Sequence, residues 1–211
     1  MLRRPISDPD LRAKLAERGW ECHLLLETDA SFLPKLCGEI GDLLEAAYHR
    51  VPTERDLKYE TWCVVIHPPS GPPIACATLS FTSSDTSSFT TRFEAVHPSV
   101  QKTGVGRLLF DCVAAFTRVL VLTDVLVREG IILTDGKYFL VACVDADDAE
   151  EMDEEDAPQA DDDNMEGHGA FLRKLGFVKA QHAFDRVTGD IAFQREFNVP
   201  VKHAVRVSCV A

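Results

Sequence analysis

The chain has 211 residues, 45% hydrophobic and 27% charged, with 12 Gly and 11 Pro; this suits one compact domain over 1–211 and excludes a collagen-like or wholly disordered protein. The net charge of −12 is concentrated, because residues 145–166 hold 13 of the 34 acidic residues and no Lys or Arg, leaving 21 acidic against 22 basic residues elsewhere. A nearly neutral body without a Lys/Arg cluster argues against nucleic-acid binding, and no apolar run reaches the roughly 18 residues of a membrane helix or follows the N-terminal charges as a secretory signal would.

In chain order, Asp8-Pro9-Asp10 opens a short helix that Asp8 caps and Gly19 ends. Cys22 to Glu27 reads as a strand. Asp29 or Ser31 caps a second helix whose apolar positions Phe32, Leu33, Leu36, Ile40, Leu43, Leu44 and Ala47 form one buried face. Residues 62–82 read as an antiparallel hairpin, Trp62 to His67 and Ile74 to Thr82, around the turn Pro68-Pro69-Ser70-Gly71-Pro72-Pro73. Thr90 to Val96 is a further strand, closed by His97-Pro98. Gly104 to Arg128 is patterned as a long helix, with a break near Thr123 and a stop at Gly130. Lys137 to Val144 has the dense apolar composition of a strand covered on both faces. After the acidic segment come a short helix, Gly167 to Leu175, and a hairpin, Phe177 to Val187 and Asp190 to Phe197, around Thr188-Gly189. Residues 199–211 read as an extra strand or a tail. Antiparallel strands followed by strand–helix–strand units indicate a mixed α/β sheet.

Seven cysteines, at 22, 37, 63, 76, 112, 143 and 209, form no C-x-x-C pair and lie mostly in apolar runs. They read as reduced, buried small hydrophobes, and the expected compartment is the cytoplasm, with the nucleus left open. The Cys/His spacing is too loose to suggest zinc, so no metal is expected.

The stretch that carries chemistry is strand Phe93-Glu94-Ala95-Val96, loop His97-Pro98-Ser99-Val100-Gln101-Lys102-Thr103, then Gly104-Val105-Gly106-Arg107 entering an amphipathic helix. Free N–H groups at a helix start favour an anion, and glycines let it approach the backbone. The dinucleotide pattern fails because Leu109 stands where a third Gly belongs. The nucleoside-triphosphate loop fails because Arg107-Leu108 follows Gly106.

What remains, Gln101-x-x-Gly104-x-Gly106 after a strand ending in Ala95-Val96-x-Pro98, resembles the coenzyme A pyrophosphate loop of the GNAT superfamily of acyl-CoA-dependent N-acyltransferases. Ala170-Phe171-Leu172-Arg173-Lys174-Leu175-Gly176-Phe177 resembles that family's late helix. The resemblance spans about Cys22 to Phe197, with 145–166 as an acidic insertion. It implies a mostly antiparallel sheet flanked by helices, with a splayed parallel strand pair that holds coenzyme A. Backbone N–H groups of Gln101, Lys102, Thr103, Gly104, Val105, Gly106 and Arg107 would bind pyrophosphate. Glu94, Ala95 and Val96 would line the pantetheine arm, with Phe171 beside the cofactor and acetyl-CoA as cosubstrate.

Such a transfer needs a neutral amine and a proton for the departing sulfur. The family's usual tyrosine position reads Leu172, which has no proton to give. Glu94 is the base candidate, on the strand face of Thr90 and Arg92 by parity unless a bulge intervenes. Its bland reading is a solvent-facing carboxylate. His97 and His168 are further candidates, His97 equally a strand terminator and His168 equally a loop contact. Two functions stay open: an N-acetyltransferase acting on a primary amine of a small molecule or protein, cationic acceptors included, and an acyl-CoA-binding or scaffolding domain without chemistry.

Overall fold

The computed structural model describes residues 2–26, 32–48, 53–55, 57, 60–82, 88–122, 137–144, 168–184 and 191–198. Strands β1 (Leu2–Pro5), β2 (Glu21–Leu26), β3 (Trp62–His67), β4 (Ala75–Thr82), β5 (Ser88–Val96), β6 (Lys137–Val144), β7 (Val178–Phe184) and β8 (Ile191–Asn198) form one sheet in the order β1-β2-β3-β4-β5-β6-β8-β7. Helices α1 (Pro9–Ala16), α2 (Phe32–Tyr48), α3 (Val105–Leu122) and α4 (His168–Lys174) lie between them in the chain. Among the described residues every strand pairing is antiparallel except β5 with β6. This is the mixed, mostly antiparallel sheet with flanking helices that the sequence predicts.

The sheet is covered on both faces, which is why all six residues of β3 are buried. Trp62, Val64 and Ile66 share a core with Val105, Leu109, Val113 and Phe116 of α3 and Leu15 of α1. The alternate residues Cys63 and Val65 pack with Leu36, Ile40, Leu43 and Leu44 of α2. A period of two in the strand and about 3.6 in the helices thus produces two separate apolar layers.

Local chemistry sets the ends. The Asp8 carboxylate accepts the N–H groups of Asp10 and Leu11, both at 3.0 Å, and Gly19 closes the turn after α1 at φ +68°. Gly176 does the same after α4 at φ +83°, where the Phe177 N–H returns to the Leu172 carbonyl at 3.1 Å. β1 was not anticipated: a four-residue run of Leu-Arg-Arg-Pro carries no apolar alternation, and its pairing with β2 creates it. The acidic segment, the Thr123 break, the Gly130 stop, the Asp29 and Ser31 caps, the Thr188-Gly189 turn and residues 199–211 lie outside the described residues.

Candidate acyl-transfer site

The site begins where the sheet comes apart. β5 and β6 pair in parallel from Ser88↔Phe139 to Thr91↔Ala142 and no further, although both strands continue. β6 meanwhile stays paired with β8 along its whole length. The cause lies in β5. Opposite β4, the register runs Leu79↔Thr91 and then Ala77↔Glu94, so Arg92 and Phe93 both face Thr78. This is a β-bulge, which bends and twists its strand, and the Phe93 N–H is taken up by the Thr78 hydroxyl at 3.3 Å. Beyond it, the β6-facing edge of Glu94, Ala95 and Val96 has left its partner strand.

The bulge also corrects the parity reading. Glu94 does not share the face of Thr90 and Arg92; it lies with Thr91, whose hydroxyl donates to the Glu94 carboxylate. The same hydroxyl is 3.2 Å from the Val141 carbonyl of β6, at the fork of the two strands. Glu94 is half-buried. Burial pushes its carboxyl pKa upward, opposed by the charge of His168 and by the Thr91 hydroxyl. His168 opens α4, so the late helix brings an imidazole into the electrostatic range of this carboxylate. Tyr48, at the end of α2, donates its hydroxyl to the Glu94 carbonyl and ties α2 to the bulged strand.

The loop after β5 is exposed and leads into the start of α3. Residues 101–104 are exposed. Gly104 sits at φ +84° and Lys102 at φ +62°, a conformation that a non-glycine residue adopts only when its surroundings impose it. Three bonds impose it here. The Gln101 amide donates to the Val96 carbonyl at 3.2 Å, the Thr103 hydroxyl to the Val100 carbonyl at 2.7 Å, and Arg18 to the Thr103 carbonyl at 2.7 Å. The first ladder bond of α3 runs from the Leu108 N–H to Gly104 at 3.2 Å, so the N–H groups of Val105, Gly106 and Arg107 precede the ladder at the positive end of the helix dipole. Arg18, whose guanidinium stacks over Trp20 at 5.4 Å, adds positive charge from the turn after α1 and was not anticipated from the sequence.

Gly106 has a second reason to lack a side chain. A Cβ there would lie 3.3 Å from the Phe171 ring, so α4 rests its phenyl on the first turn of α3. Phe171 also packs edge-on against Phe110, with ring centroids 5.9 Å apart. Leu172 is fully buried in the α3-side core. His97 accepts the Ser99 N–H at 3.2 Å and caps the turn Pro98–Val100, which is the strand-terminating role.

One further carboxylate escaped the sequence reading. Glu60 is 2% exposed, and among the described residues neither of its oxygens has a hydrogen-bond partner. Burial raises its pKa from 4.5 to about 7, against the attractions of the Thr78 hydroxyl and the Arg92 guanidinium, and Glu94 adds to the rise. Glu60 therefore lies within electrostatic reach of the bulge. Its only sequence signal was an acidic residue next to the apolar run Trp62 to Ile66.

No family model matches the chain, and no curated protein matches it significantly. Solved structures do resemble it. The ribosomal-protein-S18-alanine N-acetyltransferase from Escherichia coli is 16% identical with a TM-score of 0.42, over 84% of this chain and 94% of that one. Arabidopsis thaliana Naa50 in complex with a bisubstrate analogue, CoA-Ac-MVNAL, is 9% identical with a TM-score of 0.47, over 83% and 99%. The NatC complex bound to Gag peptide and CoA gives 14% and 0.43, over 84% and 99%.

Proposed function

We propose that this chain is a GNAT-type N-acetyltransferase that moves an acetyl group from acetyl-CoA to a primary amine. The observation that carries the reading is the coincidence, on one bulged strand, of two features: a parallel pair that parts after Thr91↔Ala142, and a strained, exposed loop leading into the start of α3. An ester of a long, thin thiol with a pyrophosphate at its far end matches both. The N–H groups from Gln101 to Arg107 receive the pyrophosphate, Arg18 offsets its charge, and Glu94, Ala95 and Val96 offer a free strand edge to the amide-bearing arm. Phe171 borders that path. When bound, acetyl-CoA supplies an activated acyl group on a thiol leaving group.

The protein's task is to manage protons. An alkylamine with a pKa near 10.4 is neutral in about one molecule in 2,500 at pH 7. We assign the amine's proton to Glu94, whose burial raises its basicity toward the working range. Leu172 cannot protonate the departing sulfur, and His168 is the group on α4 suited to do so. The buried thiols Cys22, Cys63, Cys76 and Cys112 fit the reducing cytoplasm expected from the sequence. A second assignment of the base, to Glu60, is favoured by its pKa of about 7.

Gly104→Asp tests the cradle. It places a side chain on a left-handed residue and a like charge beside the pyrophosphate. Calorimetry should show coenzyme A affinity falling by at least about tenfold, since one lost charge-assisted contact is worth roughly 1.5–3 kcal/mol. Unchanged affinity would remove the loop from cofactor binding.

A further inference from the structure

On the other face of the sheet, away from Glu94, three side chains of metal-ligand type converge. Glu21 and His67 are direct cross-strand partners on β2 and β3. His23, two residues along β2 from Glu21, shares their face because strand side chains alternate with a period of two. One ligand atom from each of the three lies within 4.8 Å of the others. The two imidazoles stack with centroids 5.1 Å apart, and His23 Nδ1 is 2.9 Å from His67 Nε2.

The protonation pattern is fixed from outside the cluster. His67 is 7% exposed, and its Nδ1 lies 2.7 Å from the Pro68 carbonyl oxygen. A carbonyl can only accept, so Nδ1 carries the hydrogen and Nε2 presents its lone pair toward His23 and Glu21. A backbone carbonyl that holds the far nitrogen of a histidine is the usual support of a metal-bound imidazole. His67 also lines a surface depression of about 410 Å³, shared with Arg3, Glu39, Asp42 and His97.

We propose that Glu21, His23 and His67 form a site for a divalent transition metal of the zinc class, separate from the acyl-transfer site. Two imidazole nitrogens and one carboxylate oxygen are the donor set such ions prefer over calcium or magnesium, and three protein ligands leave a position for water. With metal–nitrogen bonds of about 2.0–2.1 Å, tetrahedral ligand atoms stand about 3.3 Å apart. The histidine nitrogens need to separate by a few tenths of an ångström, and the carboxylate on the exposed Glu21 needs to swing inward. The ligands come from residues 44 apart, which is why no compact Cys/His spacing announces the site. The ion would clamp β2 to β3.

The test uses full-length protein stripped with a chelator and titrated with Zn²⁺ alone by calorimetry, then with Co²⁺ followed by visible absorption. Because His67 is buried, His23→Ala and Glu21→Gln are the informative variants. The proposal expects one Zn²⁺ per chain in this site, tetrahedral or five-coordinate Co²⁺ bands, and an upward Tm shift with Zn²⁺. Each variant should weaken binding by about 10-fold or more and lose the Tm shift. Absence of stoichiometric binding would overturn it. So would equal binding by a variant carrying both His23→Ala and Glu21→Gln, which would place the metal on the acidic segment or the thiols. Neither result bears on coenzyme A binding.

Discussion

At the scale of single residues, two carboxylates have opposite relations to their surroundings. Glu94 is supported: the Thr91 hydroxyl donates to it and His168 offers opposite charge. Glu94→Gln keeps the shape and removes the basicity, so turnover with an amine acceptor should fall by roughly two to four orders of magnitude. A rate that matches wild type from pH 6 to 9 would take Glu94 out of the proton transfer and leave Glu60 as the base. Because the Glu94 pKa is raised, the acidic limb of the rate profile should stand above that of an ordinary glutamate.

Glu60, by contrast, is buried with neither oxygen hydrogen-bonded among the described residues, the attractions of Thr78 and Arg92 being outweighed by burial, and its cost appears as pH-dependent stability. Below pH 4.5 the carboxyl is protonated in both the folded and unfolded chain and contributes nothing. Between 4.5 and about 7 the unfolded chain ionises while the folded one holds its proton, so stability falls as pH rises. Above about 7 the loss is complete, on the order of 3 kcal/mol. Glu60→Gln should therefore be more stable than wild type in denaturant at pH 8 and equal to it near pH 4. Equal stability at pH 8 would mean that the ionised carboxylate is solvated or paired.

At the scale of elements, most of the fold was legible and the decisive irregularity was not. Both long helices follow their apolar stripes, Leu36-Ile40-Leu43-Leu44 and Leu108-Leu109-Cys112-Val113-Phe116, because a 3.6-residue period survives any tertiary context that leaves one face dry. The 62–82 hairpin followed from six turn residues between two β-rich runs. The position of the turn was legible too, because Gly104 and Gly106 stand between a strand and an amphipathic helix. The bulge at Arg92-Phe93 was hidden because Thr90 to Val96 contains no Gly or Pro to mark it. The Thr78 hydroxyl across the strand takes up the Phe93 N–H there. A one-residue insertion turns a strand over, which moved Glu94 from the expected face to the face of Thr91. Arg18, Tyr48 and the histidine pair were missed for a related reason: each is brought to its partner from far along the chain.

At the scale of the whole molecule, the charge is divided between a nearly neutral body and the acidic residues of 145–166. That segment connects β6, a wall of the proposed cofactor cleft, to α4. We propose that it raises the local concentration of a cationic acceptor, such as a polyamine or a Lys-rich peptide. Replacing 147–163 with a short Gly/Ser linker should lower kcat/KM for such acceptors at low salt. The loss should shrink as the Debye length falls to about 8–10 Å near physiological ionic strength, with coenzyme A affinity held or improved. Equal kcat/KM at low salt would make the segment a passive insertion.

The central claim, that the parted strands and the α3 cradle serve acyl transfer and not binding alone, is tested most directly by free-thiol release from acetyl-CoA. The full chain would be supplied with polyamines, Lys-bearing peptides, free peptide amino termini and aminoglycosides in turn. We predict amine-dependent thiol release with at least one of these classes, strongly reduced in Glu94→Gln and abolished with loss of cofactor binding in Gly104→Asp. Tight coenzyme A binding with no amine-dependent release from any class would contradict the enzymatic reading and leave an acyl-CoA-binding scaffold.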